Sequence, residues 1–116
     1  MTGDDPRRTY KTVPAAVDQA LKKAGLRLDQ IDLIEIQEAF AAQVLADLKE
    51  MGVTEKDYDR INVNGSGISL GHPIACTGTR VLVTMIHALK DRGLKRGLAA
   101  ICLGGGEAVA LALELL

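Results

Sequence analysis

Aromatic side chains are scarce in this sequence of 116 residues, which has one Phe, two Tyr and no Trp. Proteins that bind single-stranded nucleic acid stack the bases on aromatic platforms, and this chain has too few rings to build one. Its charge favours no polyanion either, because 14 Lys and Arg residues are balanced by 15 Asp and Glu residues. We therefore expect neither nucleic acid nor a membrane surface as a partner.

Cysteines and long apolar runs are also sparse. Cys76 and Cys102 form no CxxC or His/Cys zinc pattern. No apolar run approaches the roughly twenty residues that span a bilayer, and the N-terminus lacks the apolar segment of a secretory signal. These absences predict a reducing, cytoplasmic setting, no disulfide framework and no structural metal.

Hydrophobic periodicity predicts one α/β domain over residues 1–116, with a loose N-terminal segment at 1–9. Thr12 is expected to cap the first helix, with Pro14 in its first turn and Gly25 at its end. The Ile-rich run 31–36 has the composition of a buried strand. The full predicted order is a helix at 13–24, strand 31–36, helix 38–51, a short strand at 61–64, a loop at 65–77, a helix ending at Gly93, and strands 98–103 and 108–113, the last two forming a hairpin.

Two short motifs carry the chemistry of the sequence. Gly71-His72-Pro73 supplies an imidazole and Cys102-Leu103-Gly104-Gly105-Gly106 supplies a thiol, and the unperturbed pKa values of these two groups lie nearest neutrality. The glycines beside the thiol leave backbone N–H groups that can approach a developing oxyanion. Each motif alone also has a plain structural interpretation, as a loop histidine packed beside Pro73 and as a small buried cysteine at a strand end.

Three separated blocks in a fixed order give these motifs a context. They are Ile36-Gln37-Glu38-Ala39-Phe40-Ala41, then Asn62-Val63-Asn64-Gly65 leading to Gly71-His72-Pro73, and finally Cys102-Leu103-Gly104-Gly105-Gly106. On these blocks, the stretch from Tyr10 to Leu116 resembles the C-terminal part of the thiolase family, which comprises acetyl-CoA acetyltransferases and 3-ketoacyl-CoA thiolases. The resemblance implies a thiolase-like half-domain, a layered α/β fold with a mixed sheet.

The resemblance also implies a role for each matched residue. His72 corresponds to the histidine that activates a nucleophilic cysteine and polarises the thioester oxygen. Cys102 corresponds to the second cysteine, which moves a proton to and from the acetyl α-carbon or the departing CoA thiol. The backbone N–H of Gly104 would help to form the oxyanion hole. Phe40 and Asn64 would support the substrate-binding channel, although they are equally well interpreted as a core aromatic and a turn former.

Gln37 is the clearest departure from the family, in which most members have Asn at this position and some have His. The Asn of the family holds a water that completes the oxyanion hole. Gln keeps the carboxamide but adds a methylene, and a displacement of about 1 Å in an active site can cost on the order of a hundredfold in rate. The departure predicts a site that is impaired or that binds its water differently.

The resemblance covers only the last third of a complete thiolase, whose acyl-carrying cysteine lies in the N-terminal half. We therefore predict the C-terminal catalytic domain of a thiolase-like acyl-CoA acyltransferase of fatty acid metabolism. Its reaction would be reversible Claisen condensation or thiolysis of a 3-ketoacyl-CoA, and the chain alone is expected to be inactive. The expected partners are acyl-CoA or CoA as substrate, with an N-terminal thiolase half or a second copy of the chain. No metal or redox cofactor is implied.

Two other functions remain open from the sequence. The chain could be a non-catalytic thiolase-fold module that binds a partner protein or an acyl-CoA. It could also be an independent cysteine hydrolase that uses Cys102 with His72, although no third orienting group is legible in the sequence.

The sheet raises a question of topology. The resemblance implies five strands in the order 3-2-1-4-5, with the predicted strands 31–36, 61–64, 98–103 and 108–113 as strands 2 to 5. The central strand 1 is apparently lacking, because the first residues are polar and include Pro6. A missing central strand would leave backbone groups unpaired in the core. We therefore predict strand exchange with a second copy, direct pairing of strands 2 and 4, or a preceding segment of a longer chain.

Overall fold

A four-stranded mixed sheet with helices on both faces forms the framework of the fold. The structure, a computed structural model, describes all residues from 1 to 116. The strands are β1 (Thr2–Gly3), β2 (Leu33–Ile36), β3 (Arg96–Gly104) and β4 (Glu107–Glu114). The α-helices are α1 (Thr9–Ala24), α2 (Ala41–Glu50), α3 (Gly67–Leu70) and α4 (Thr77–Arg92), and short 3-10 helices cover Pro6–Arg8, Leu28–Gln30 and Glu55–Arg60.

The strands lie in the order β1-β4-β3-β2, with β2 parallel to β3 and the other pairs antiparallel. The predicted strands 2 and 4 are therefore direct neighbours, with Ile34 opposite Leu98. This is the second of the three arrangements that the sequence left open, and the central position assumed for strand 1 is wrong. No gap exists in the core, because the buried runs of β2 and β3 pair with each other and need no strand between them.

Part of the segment 1–9, which the sequence predicts to be loose, is joined to the sheet. The two residues of β1 pair with Ala108 and Glu107 at the outer edge of β4. Directly after β1, the Asp4 N–H donates to the Gly106 carbonyl at 2.8 Å. A polar N-terminal sequence is unsuited to a buried central strand, but a short polar strand is suited to the edge of a sheet.

The first helix begins earlier than the sequence indicated. α1 starts at Thr9, and the Thr12 hydroxyl, the predicted cap, donates to the Thr9 carbonyl at 2.7 Å from inside the helix. Pro14 consequently lies beyond the first turn, where its missing N–H leaves one helical hydrogen bond unmade. The predicted end of the helix is confirmed, since Gly25 adopts a φ of 66° and its N–H binds the last carbonyls.

The strand predicted at 61–64 is a single bridge, in which Ile61 pairs in parallel with Ile34. Asn62 ends the pairing because its φ of 46° lies in the left-handed region. Beyond this bridge, the side chain of Asn62 makes the hydrogen bonds that a neighbouring strand would make. Its Oδ1 accepts from the Ile36 N–H at 2.8 Å, and its Nδ2 donates to the Ile36 carbonyl at 3.0 Å. One side chain thus satisfies two backbone groups at the edge of β2.

Glu38 lies outside α2, which begins at Ala41 and not at the predicted residue 38. Its carboxylate is held elsewhere: Oε1 accepts from Asn62 Nδ2 at 3.1 Å, and Oε2 accepts from the Ile68 N–H at 2.9 Å. Ile68 belongs to α3, a short helix inside the segment 65–77 that the sequence predicted as a loop. The next helix, α4, ends at Gly93 as predicted.

Two apolar clusters pack on opposite faces of the sheet. One lies between the sheet, α1 and α2, and the strands contribute Ile34, Ile36, Leu98 and Ala100 to it. The other lies between the sheet and α4 and includes Leu33, Ala99, Val81, Met85 and Leu89. Because side chains alternate across a strand, Glu35 faces α4 together with Leu33. None of the helices is both long and apolar enough to cross a membrane.

Asp47 on α2 is a buried carboxylate without a partner. It is 1% exposed, neither oxygen accepts a hydrogen bond, and burial raises its pKa from 3.8 to about 7. Between these values the folded protein holds a proton that the unfolded chain has released, so stability falls as the pH rises from about 4 to about 7. We expect Asp47→Asn to raise the free energy of unfolding above pH 7 by about 1–3 kcal/mol.

Urea unfolding below and above this pH range measures the effect. Asp18→Asn is the matched control, because Asp18 is an exposed carboxylate on α1 paired with Lys22 and should change stability little at either pH. The free energy of unfolding of Asp47→Asn will still depend on pH to some extent, because burial also raises the pKa of Glu35. An equal loss of stability with pH in the wild type and in Asp47→Asn would contradict the prediction.

Candidate active site

An open cleft of about 660 Å³ lies where the turn between β3 and β4 meets the start of α1, the segment before α2 and the loop before α4. Four of the six predicted site residues line it, namely His72, Cys102, Gly104 and Phe40. They come from three separate parts of the chain, so the fold brings the three sequence blocks together. Gln37 and Asn64 do not line this cleft.

His72 lies in the loop before α4 and is oriented by Thr77. Its Nδ1 is 2.7 Å from Oγ1 of Thr77, which is fully buried at the start of α4. The single hydroxyl proton of Thr77 is donated to the Pro73 carbonyl at 3.0 Å. The hydroxyl oxygen therefore accepts from the imidazole Nδ1–H, and Nε2 carries the lone pair of the neutral ring. This tautomer presents Nε2 as a base.

Cys102 is half-buried near the end of β3, on the face of the sheet that packs against α1. The ladder between β3 and β4 is irregular directly after it, between Cys102 and Gly104. Gly104 has a φ of 85°, which favours glycine, and the space where a side chain would stand is open. The backbone beside the thiol is therefore accessible to a ligand.

The other predicted site residues have different surroundings. Phe40 is 72% exposed at the cleft and is not a core aromatic. Asn64 is exposed and lies outside the cleft lining. Gln37 is only 3% exposed and faces α4, whereas Cys102 faces α1, so the two side chains lie on opposite faces of the sheet. The strand alternation of β2 explains this placement, because Gln37 continues the face of Leu33 and Glu35.

Neither cysteine is in a disulfide, and only one belongs to the cleft. Cys76 is exposed at the N-cap position of α4 and does not line the cleft, unlike Cys102. No group of three or more His, Cys, Asp or Glu side chains is placed to hold a metal ion. The cleft thus holds one thiol and one imidazole beside the glycine backbone, together with the carboxylate of Glu107 and the hydroxyls of Thr9 and Thr12.

Sequence reasoning missed the buried ion pair behind the site and the carboxamide of Asn62. Arg80 Nη1 lies 3.8 Å from Glu35 Oε2, and Glu35 is 2% exposed. Burial raises the pKa of Glu35 to about 7, although the nearby positive charge of Arg80 opposes the shift. The available signal was an acidic residue inside the apolar run 31–36, because a charge in a buried strand requires a partner.

Comparisons with known proteins show the family of the chain. The family profile described as "Thiolase, C-terminal domain" matches residues 1–115. An acetyl-CoA acetyltransferase of Chromobacterium violaceum is 48% identical over 114 residues, which are 98% of this chain and 28% of that protein. A 3-ketoacyl-CoA thiolase of Aliivibrio salmonicida is 44% identical over 115 residues, which are 98% of this chain and 30% of that protein.

The same fold occurs in the crystal structure of a related protein. The crystal structure of the Bacillus anthracis acetyl-CoA acetyltransferase matches with a TM-score of 0.92 and 48% sequence identity, over 99% of this chain and 28% of that one. The chain thus spans less than a third of the length of these relatives. The family resemblance and the thiolase-like α/β fold predicted from the sequence are confirmed. The chain belongs to the thiolase family and corresponds to its C-terminal domain.

Proposed function

We propose that this domain supplies C-terminal catalytic residues of an acyl-CoA acyltransferase that performs reversible Claisen condensation or thiolysis of a 3-ketoacyl-CoA. One observation carries the proposal: His72 lines the same cleft as Cys102 and the backbone of Gly104, although it lies 30 residues before Cys102 in the sequence. The names of the relatives, acetyl-CoA acetyltransferase and 3-ketoacyl-CoA thiolase, support CoA thioesters as the substrate class. CoA is then a substrate and no further cofactor is needed.

His72 and Cys102 are proposed to move the two protons of this reaction. Nε2 of His72 takes the thiol proton of a nucleophilic cysteine in the N-terminal half, and the resulting thiolate attacks the thioester carbonyl. The bond between the acyl carbon and the CoA sulfur breaks, and the CoA leaves with the proton of the Cys102 thiol, which becomes a thiolate. The Cys102 thiolate removes a proton from the acetyl α-carbon in condensation and returns it in thiolysis. The orientation of His72 supports this assignment, because Thr77 holds Nδ1 and leaves Nε2 available.

Gly104 and Gln37 are proposed to stabilise the negative charge that develops on the thioester oxygens. The backbone at Gly104 is open to the cleft, which supports a direct N–H contact. Gln37 would act through its Nε2 group, a buried donor for which the protein provides no acceptor. A water in contact with this group would satisfy it and transmit its polarity.

Phe40 and Asn64 are proposed to contact the acyl-CoA. The exposed ring of Phe40 at the cleft can cover apolar parts of the substrate's flexible chain. Asn64 lies outside the cleft lining, so its contact would involve a part of CoA that extends beyond the cleft.

An apolar groove on the α4 side is the surface that we propose for an N-terminal thiolase half or a second copy of the chain. The groove measures about 280 Å³ and runs between α4 and the strands β3 and β4, where it is lined by Val81, Leu82, Ile101, Val109 and Leu111 among others. Burying such a surface stabilises association.

The two free cysteines support a reducing, cytoplasmic setting for this role in fatty acid metabolism.

The 116 residues on their own are expected to show no thiolysis of acetoacetyl-CoA above background. None of their cysteines corresponds to the nucleophile that carries the acyl group, and without it the thioester has no acceptor. Adding the N-terminal half of a related thiolase should produce turnover, measured by the loss of acetoacetyl-CoA absorbance.

Two outcomes of this experiment would favour the other functions. Turnover by the chain alone that Cys102→Ala abolishes would contradict the proposal and favour a cysteine hydrolase. Acyl-CoA binding by the assembled halves without any turnover would favour the non-catalytic binding module. Cys76→Ala is the matched control, because Cys76 is an exposed thiol outside the cleft and its loss should leave turnover unchanged.

A further inference from the structure

A buried polar cluster joins the end of β2 to the first turn of α4. Arg80 is at its centre: Nη2 donates to Gln37 Oε1 at 3.0 Å and to Ser66 Oγ at 3.1 Å. Nη1 lies 3.8 Å from Glu35 Oε2. None of the three partners is more than 3% exposed, so the guanidinium acts inside the protein and not at its surface.

The guanidinium determines which way the Gln37 carboxamide points. Arginine has only N–H donors, so the carboxamide atom that faces it must be the oxygen. The amide nitrogen points elsewhere, toward Gly67, where an added Cβ would overlap it. This nitrogen is buried and has no acceptor. The contact with Arg80 therefore fixes Nε2 as the free donor of the side chain.

The contact requires the length of a glutamine. The carboxamide of an asparagine at position 37 would lie about 1.5 Å, one C–C bond, closer to the backbone of β2. From there it could not keep the 3.0 Å bond to Nη2, because a hydrogen bond weakens steeply beyond its normal range.

The same turn of α4 also carries the hydroxyl that orients His72. Thr77 and Arg80 are three residues apart on the helix and therefore project from the same side. The carboxylate of Glu35, which is charged above its pKa of about 7, lies 3.8 Å from Arg80 Nη1 and is the counter-charge of the buried guanidinium.

We propose that Arg80 is a positioning residue of this site, which holds the Gln37 carboxamide with its oxygen toward α4 and its NH₂ group free to donate, while Glu35 balances the charge. The catalytic consequence rests on the proposed function, whereas the orientation of Gln37 can be tested in the chain alone. A positioning residue differs from a structural ion pair because its loss lowers turnover even after stability is restored.

The first measurement is the side-chain amide signal of Gln37 in the ¹⁵N-labelled chain, assigned by its absence in Gln37→Met. We expect a signal distinct from that of a free glutamine in the wild type, and a shift toward the free position in Arg80→Met. Arg96→Met is the matched control, since Arg96 is paired with Glu114 at the far end of β3 and should leave the signal in place. A wild-type signal like that of free glutamine, or one that Arg80→Met does not move, would overturn the proposal.

The second measurement is turnover after assembly with an N-terminal thiolase half. Arg80→Met alone leaves Glu35 without its counter-charge and is expected to destabilise the fold. The informative variant is therefore Glu35→Gln/Arg80→Met, which buries no charge. We expect its urea midpoint to be close to the wild type, its kcat to fall at least about tenfold, and its KM to change less than about twofold.

Recovery of both stability and kcat in the double variant would show that Arg80 is only structural and would overturn the proposal. An assembly in which the wild type itself has no turnover would count against the proposed function. The Gln37 signal would then still decide whether Arg80 orients the carboxamide.

Discussion

Replacing His72 by alanine is expected to lower turnover at least about a hundredfold once the chain is assembled with an N-terminal half, since loss of a positioned general base costs this much. The geometry makes the loss specific to proton transfer, because the hydrogen bond to Thr77 leaves Nε2 as the base in the cleft. The measurement is kcat at saturating acetoacetyl-CoA, which separates the loss of chemistry from a loss of binding.

Two further variants test whether the loss belongs to this imidazole. His87→Ala is the matched control, because His87 is exposed on α4, outside the cleft, and should leave kcat unchanged. Thr77→Val keeps the imidazole but removes its orienting partner, so it should lower kcat by less than His72→Ala. A loss of less than a few-fold in His72→Ala would remove His72 from the mechanism.

The parts of the fold that the sequence predicted correctly depend on local signals. Gly25 and Gly93 end their helices in the left-handed conformation that glycine favours, and both ends are where the sequence indicated. The hairpin of β3 and β4 follows from two apolar runs joined by three glycines. The helix starts were wrong because they depend on distant contacts: Glu38 is held outside α2 by Asn62, which is remote in the sequence.

The same contrast between local signals and distant contacts applies to the site. Residue type and block order were sufficient to choose His72, Cys102, Gly104 and Phe40, which line one cleft. They did not reveal Arg80, whose partner Gln37 is 43 residues away, or the order of the strands, which depends on the pairing of Ile34 with Leu98. No periodicity encodes contacts over such separations, so only the folded chain shows them.

A methyl group at Gly106 is expected to destabilise the chain far more than one at Gly105, although the two glycines are neighbours in one turn. Their φ values of 84° and 61° are both left-handed, which costs a non-glycine residue about 1–2 kcal/mol. The space around Gly105 is open, so Gly105→Ala should cost only this amount. At Gly106 a Cβ would overlap the Asp4 carbonyl oxygen and lie 3.1 Å from Pro6 N. Both are backbone atoms, so the overlap is relieved only if the N-terminal segment moves, and we expect a total of about 2–5 kcal/mol for Gly106→Ala.

Urea unfolding of the two variants measures this difference in stability. The reactivity of Cys102 shows whether the disturbance at Gly106 extends to the cleft. The Asp4 N–H donates to the Gly106 carbonyl, so the N-terminal segment and the turn that carries Gly104 are held together. When a methyl group pushes that segment away, the half-buried thiol should become more accessible. We expect iodoacetamide to alkylate Cys102 faster in Gly106→Ala and at the wild-type rate in Gly105→Ala, with Cys76→Ala as the common background. Equal destabilisation by the two substitutions would show that the N-terminal segment does not support the turn.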